Sequence, residues 1–315
     1  MELAERRGAK VPLMVGHRLI AMSAMHTGDI AGSRSHFDRT IALYDPAEHR
    51  ALAPRFGQDI RVAALSFRGE ALWLLGYPEL ALADAERIIT DAQEINHGPT
   101  SMYALLSSAI IYNHCGNYAA ASKRVEELVA FANQTRAGFW KAFGILHQGI
   151  GLALTDNPKT AVQNIISAID VYRSMGSTLR LPEYLRYLAK AHAQLCQMDD
   201  AWRCVDEAKA IMWASGETWC EAELHRVSGE IALMGGNPDV EKAEAYLQYA
   251  VSVARQQQAK SWELRAATSL ARLWRDQGKR DEARELLAPV YGWFTEGFDT
   301  LDLKQAKALL DELAR

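Results

Sequence analysis

Apolar residues recur along this chain at i, i+4 and i+7, each series starting from a small residue and cut off from the next by a polar turn. One set of small residues comprises Ala21, Gly69, Ala109, Gly149, Ala189, Gly229 and Ala271, in steps of 48, 40, 40, 40, 40 and 42. A second set lies twelve to fourteen residues downstream, at Ser33, Ala81, Ala121, Ala161, Ala201, Ala243 and Ala283. Between the two sets sits a turn each time, among them Gly28-Asp29, Gly76-Tyr77-Pro78, Gly116-Asn117, Asp156-Asn157-Pro158, Gln197-Met198-Asp199, Gly236-Asn237-Pro238 and Gly278-Lys279. Gly and Asn permit a positive φ and Pro fixes a negative one, so each of these breaks a helix for a stated reason. Past each small residue of the second set come Phe37, Ala85, Val125, Ile165, Val205, Leu247 or Leu287, then Thr40, Ile88, Leu128, Ala168, Ala208, Ala250 or Val290. That is one stripe of an amphipathic helix. Each unit therefore reads as a helix A, a tight turn and a helix B, with small residues where the two axes cross closely. No alternating β-branched run suggests a strand, and self-similarity at such a period predicts an all-α solenoid.

The pattern of small residue, Gly-bearing turn, small residue and apolar pair resembles the tetratricopeptide repeat. The period of 40 exceeds the family's usual 34 residues by about a helical turn, as in repeat variants of bacterial signalling proteins. The early Trp of the family is displaced to Trp140, Trp219 and Trp262, nine or ten residues before the small residue. A structural pin between neighbouring units accounts for such a recurrence. The resemblance implies a right-handed superhelical solenoid of about seven helix pairs. The expected repeats span 14–44, 60–96, 100–135, 139–175, 181–215, 219–257 and 261–296, together occupying 14–300, with a capping helix at 301–315. Pro289, inside the last helix B, should kink or end it.

Residues 1–13 read as the remnant of a preceding repeat. Gly8, Gly176 and Gly216 each precede the next small residue of helix A by thirteen positions. In that register Met1–Arg7 matches the closing turns of a helix B such as Lys209-Ala-Ile-Met-Trp-Ala-Ser. The expectation is a fragment or shortened form of a longer protein, since a solenoid ordinarily protects its terminal repeat with a cap.

Longer strings narrow the resemblance. Leu43-Tyr-Asp-Pro, Gly57-Gln-Asp, Ala71-Leu-Trp-Leu-Leu-Gly-Tyr-Pro, Glu221-Ala-Glu-Leu-His-Arg-Val-Ser-Gly-Glu and Ser261-Trp-Glu-Leu-Arg-Ala-Ala-Thr-Ser-Leu-Ala-Arg-Leu-Trp are similar to the C-terminal repeats of large bacterial regulators. Those regulators are of the class III adenylate/guanylate cyclase and predicted STAND-type ATPase kind. The resemblance covers the repeat tail alone. It implies a sensor region that holds an ATPase in check, with an ATPase or cyclase domain as a partner in cis or in trans.

The chemistry of either domain is missing from the sequence. There is no GxxxxGK[ST] cradle for phosphates, no GxGxxG, no HExxH and no GxSxG elbow. A class III cyclase also needs two carboxylates on a sheet, which a strandless chain does not supply. Cys115, Cys196, Cys204 and Cys220 lack metal-ligand spacing and read as small buried hydrophobes. The histidines are scattered as well. A net charge of −4 argues against direct nucleic-acid binding. No apolar run approaches a membrane span, and the N-terminus lacks a secretory core, so the cytoplasm is the expected location. The expectation is a non-enzymatic module with no cofactor and no metal.

What remains is surface. In such superhelices the concave face is lined by helix A at six and three residues before the small residue, and one and four after. This projection selects Tyr103, Leu106, Ile110 and Asn113, then Phe143, Leu146 and Ile150. It continues with Glu183, Arg186 and Lys190, with Glu223, Arg226 and Glu230, and with Arg265, Arg272 and Arg275. A groove apolar in the middle and charged towards the C-terminus suits an extended peptide or a helix with one acidic end. Helix packing and a solvated charged face explain the same residues. A sensor for a small molecule or short peptide is the alternative function.

Overall fold

The computed structural model describes residues 6, 8–155 and 157–315. The matching of Met1–Arg7 to a preceding helix B falls, apart from Arg6, outside them, as does Asp156 of one expected turn. The described residues are helical with no strand. We number the main helices in chain order, so that odd numbers are A helices and even numbers B helices. The pairs are α1 (Lys10–His26) with α2 (Ile30–Leu43), α3 (Ile60–Leu74) with α4 (Pro78–Ile95), α5 (Gly98–His114) with α6 (Tyr118–Gln134) and α7 (Gly138–Leu154) with α8 (Pro158–Ser174). They continue with α9 (Leu181–Gln194) and α10 (Met198–Ser215), α11 (Glu221–Ala232) and α12 (Val240–Gln256), and α13 (Lys260–Asp276) and α14 (Arg280–Tyr291). A single helix, α15 (Leu301–Leu313), follows.

The chain divides into two compact units, 1–73 with 77–144, and 74–76 with 145–315. In the first unit, Ala21, Phe37 and Ala64 form one buried cluster, and Phe37 stacks on Phe67 with ring centroids 5.9 Å apart. Two bidentate pairs fix α3 on α4. Arg68 donates to Asp84 at 2.6 and 2.8 Å, and Arg61 to Asp91 at 2.6 and 2.8 Å. The first repeat step is 48 because residues between α2 and α3 form three short helical segments, Pro46–His49, Arg50–Leu52 and Ala53–Phe56. Asp59 closes this insertion. Its carboxylate accepts from the Tyr44 hydroxyl at 2.6 Å and from the backbone N–H groups of Arg61 and Val62, the opening turn of α3.

In the second unit the small residues do what their spacing requires. Ala161, Ala189, Ala201, Ala243, Ala271 and Ala283 are fully buried. At Gly229 a β-carbon would lie 2.8 Å from Cγ of Leu247 and 3.1 Å from the carbonyl oxygen of Ala243. Gly229→Val should therefore destabilise the protein by about 1–3 kcal/mol through overpacking, as read from urea unfolding. A neutral result would mean that α11 and α12 can separate freely. The last step of 42 comes from a longer loop between α11 and α12, residues 233–239. Pro289 does shorten its helix: α14 ends at Tyr291 after 12 residues, where α12 runs for 17. The core around α11 to α15 includes Leu247, Leu264, Leu270, Leu287, Leu303 and Leu309.

Candidate functional site

The projected residues fall into two sets, one in each unit. In the first unit Leu106 and Ile110 belong to a buried cluster with Met102, Leu128 and Ala132, and Trp140 and Phe143 pack against it. Tyr103 meets Trp140 edge-on at 6.2 Å and is half-buried. Asn113 is buried, its Oδ1 without a hydrogen-bond partner. These positions pack between helices because the next A helix, α7, brings its aromatic residues over them. In the second unit Leu146 and Ile150 are likewise buried.

The charged positions are brought together on neighbouring A helices of the second unit, with α9 against α11 and α11 against α13. Glu223 is their centre, almost wholly buried. It accepts from Arg226 at 2.7 and 2.9 Å and lies 3.5 Å from Nη1 of Arg186 and 3.6 Å from Nη1 of Arg265. Burial alone would raise the pKa of Glu223, but Arg226, then Arg186 and Arg265, hold it down to about 2. Arg226 also pairs with Glu230, whose Oε1 accepts from the Ser269 hydroxyl at 2.9 Å.

Other members of the set are engaged elsewhere. Glu183 is taken by Arg180, which donates from Nε at 2.9 Å. The arginines of α13 face α15. Arg265 pairs with Asp302 at 2.7 Å, Arg272 donates to Gln305 at 3.1 Å and Arg275 pairs with Glu312 at 2.9 Å. The closing helix thus neutralises two of the three arginines and gives Arg272 a neutral partner only.

Positive charge is left over. Arg186 is 2% exposed, and its Nε and Nη2 are shielded from solvent with no hydrogen-bond partner. Its guanidinium carbon lies 3.9 Å above the Tyr187 ring, a cation–π contact that only partly replaces hydration. Among the described residues no carboxylate lies within ion-pair distance of Lys190. Its pKa is lowered by burial and by Arg226 and Arg186, against the opposing Glu230 and Glu223. Arg272 is lowered in the same way, by burial and then by Arg226 and Arg275. Lys190 and Arg272 are both partly exposed, so an anion from solution can reach them.

Burial lowers the pKa of His147 to about 3 and that of His225 to about 4, which keeps both neutral. The Cys204 thiol is pushed up to about 11 by burial and Glu207, and Cys220 is raised further. Among the described residues no cluster of His, Cys, Asp or Glu could hold a metal ion, and no helix is long and apolar enough to cross a membrane.

The fold is that of known helical-repeat proteins. The structure is similar to a Rap protein complexed with competence and sporulation factor, with a TM-score of 0.62 at 12% identity over 95% of this chain and 80% of that one. It is similar to the apo form of RapI, with a TM-score of 0.57 at 12% identity over 95% and 99% of the two chains. A tetratricopeptide repeat protein from Parabacteroides merdae gives 0.51 at 12% identity over 96% and 100%. At such identities the likeness shows the fold, an all-helical tetratricopeptide-type solenoid. No protein-family model matches the chain, and no curated protein matches its sequence.

The sequence did not single out a second feature, an aromatic cavity beside α10, α11 and α12. Its signal was present in Trp213, Tyr246 and Tyr249. These aromatic residues sit beside the apolar stripes of α10 and α12 rather than on them.

Proposed function

We propose that this chain is a non-enzymatic interaction module whose second unit recognises an acidic segment of a protein or peptide through Lys190 and Arg272, beside the buried Arg186. The observation that carries the reading is the uncompensated positive charge on the A helices. A buried guanidinium has two unpartnered nitrogens, and on either side of the Arg226–Glu230 pair stand cations that form no ion pair with a carboxylate of the described residues. A carboxylate placed there recovers the electrostatic energy that the isolated chain forgoes. The groove reading of Tyr103, Leu106, Ile110, Asn113, Phe143 and Leu146 carries less weight, because packing already uses most of their surface.

The wider role we propose is regulatory: the repeat region of an ATPase-linked signalling or transcription regulator, with the ATPase or cyclase domain as the partner it restrains. The strings that resemble such regulators support this, and the same fold occurs in a Rap protein complexed with competence and sporulation factor. The chain itself should neither hydrolyse ATP nor form a cyclic nucleotide, and the cytoplasm is its proposed setting.

A fluorescein-labelled oligoglutamate peptide tests the charge reading by anisotropy. The protein should bind it, more weakly as salt rises. Lys190→Glu combined with Arg272→Glu should weaken binding about tenfold or more, whereas Lys307→Glu on the far side of α15 should not. Equal binding by the double variant and the unaltered protein would overturn the assignment.

A further inference from the structure

A cavity of about 470 Å³ lies in the second unit, away from the A-helix charges. Its walls are α10, through Lys209, Met212 and Trp213, and α12, through Lys242, Tyr246 and Tyr249. His225 and Glu221 of α11 form the floor. The size falls in the ordinary range for small-molecule sites, roughly 300–1,000 Å³.

The lining is organised by ring contacts. His225 meets Tyr249 edge-on at 4.5 Å and Tyr246 at 5.7 Å. The Tyr249 hydroxyl donates to Glu221 at 3.0 Å, which fixes that ring and occupies the one acid of the lining. Trp213 stands at the mouth and is 84% exposed, the most exposed large apolar side chain among the described residues. A lone exposed tryptophan is unremarkable, but one beside an open aromatic cavity offers a stacking face.

The charge of the site selects the ligand. The ammonium of Lys209 lies 4.5 Å over the Tyr246 ring and donates to its hydroxyl at 3.2 Å. That of Lys242 lies 4.0 Å over the ring of Trp202. Among the described residues no carboxylate lies within ion-pair distance of either lysine. His225 is neutral, held so by burial and by Lys209, and it adds no compensating charge. Lys209 already occupies a face of the Tyr246 ring and Lys242 adds a second positive charge to the lining, so an aromatic cage for a quaternary amine is disfavoured. Rings for stacking and two ammonium groups without a paired carboxylate suit a flat molecule with an acidic end.

We propose that this cavity is a binding site for a planar aromatic carboxylate, whose ring lies against Trp213 and Tyr249 and whose acid group meets Lys209 and Lys242. The site is independent of the acidic-segment surface on the A helices. A ligand here bridges α10 to α12, the B helices of consecutive repeats, and so resists their separation.

The test uses 2-naphthoate as probe and the full chain, by isothermal titration calorimetry. Saturable one-to-one binding is expected, with a dissociation constant on the order of 0.1–1 mM, as suits a ligand of this size. The neutral 2-naphthamide should bind about tenfold more weakly. Lys209→Glu with Lys242→Glu should abolish detectable binding, and Trp213→Ala, a surface change that leaves the core intact, should weaken it several-fold. Lys190→Glu should leave naphthoate binding unchanged, although it weakens the oligoglutamate complex. No saturable binding, equal affinity for the amide, or unchanged affinity in the lysine double variant would each overturn the proposal.

Discussion

Glu223→Gln should destabilise the protein by roughly 3–5 kcal/mol, the cost of leaving buried charge unpaired. The carboxylate is contacted by Arg226 and lies within ion-pair distance of Arg186 and Arg265. Glutamine keeps the volume but removes the charge to which these guanidinium groups turn. Arg226 retains Glu230 and Arg265 retains Asp302, whereas Arg186 is left with its aromatic contacts alone. The loss should therefore be concentrated on Arg186. Combining Glu223→Gln with Arg186→Met should recover part of it, which a double-mutant cycle in urea unfolding measures directly. Strict additivity of the two changes would show that the ions do not act as a unit.

The same residue sets a pH signature. Its pKa in the folded protein is about 2, below the ordinary value of 4.5, so the unfolded chain binds the proton more tightly and protonation favours unfolding. The contribution is complete above about pH 4.5, falls as the pH drops through that value and is gone near pH 2. The lowered pKa is worth roughly 3 kcal/mol. His147 and His225, kept neutral by burial, also favour unfolding in acid, beginning nearer pH 6.5. Between pH 5 and pH 2 the stability difference between the native protein and Glu223→Gln should shrink. A constant difference across that range would remove Glu223 from the account.

Helix pairing was legible in the sequence because it rests on residue size. A close crossing admits only Gly, Ala or Ser, and the turns need Gly, Asn or Pro, so both leave fixed marks at the period. The charged face was legible only as a list of positions. Which arginine is neutralised depends on α15, and Asp302, Gln305 and Glu312 of that helix read in sequence as ordinary polar positions of an amphipathic cap. Leu106 and Ile110 also illustrate the limit. Their register places them on the A-helix face, but whether they meet solvent depends on how closely Trp140 and Phe143 of α7 approach. The aromatic cavity escaped notice for a related reason, since its walls come from two B helices roughly forty residues apart.

The three tryptophans that recur at matching positions should not be energetically equal. Trp219 and Trp262 are 1% exposed, whereas Trp140 is only half-buried. Trp219 also holds a polar joint. Its indole N–H donates to Glu217 at 2.9 Å, and the same carboxylate accepts the backbone N–H of Arg180 at 2.9 and 3.0 Å. The Arg180 guanidinium then lies 4.9 Å over the Trp219 ring and reaches Glu183 on α9. The start of α9 is thereby tied to the segment before α11, two successive A helices linked through one indole. Trp219→Ala removes a filled core position and strips Glu217 and Arg180 of their shared partner, so a loss of about 3–5 kcal/mol is expected. Trp219→Phe restores the apolar bulk but not the N–H, and should recover most of that loss while leaving about 1 kcal/mol for the hydrogen bond. Trp140→Ala should cost distinctly less, because a half-buried ring gives up less area and leaves less of a cavity. Equal losses at Trp140 and Trp219, measured by urea unfolding, would mean that the recurring position acts as a uniform pin and that the joint through Glu217 adds nothing.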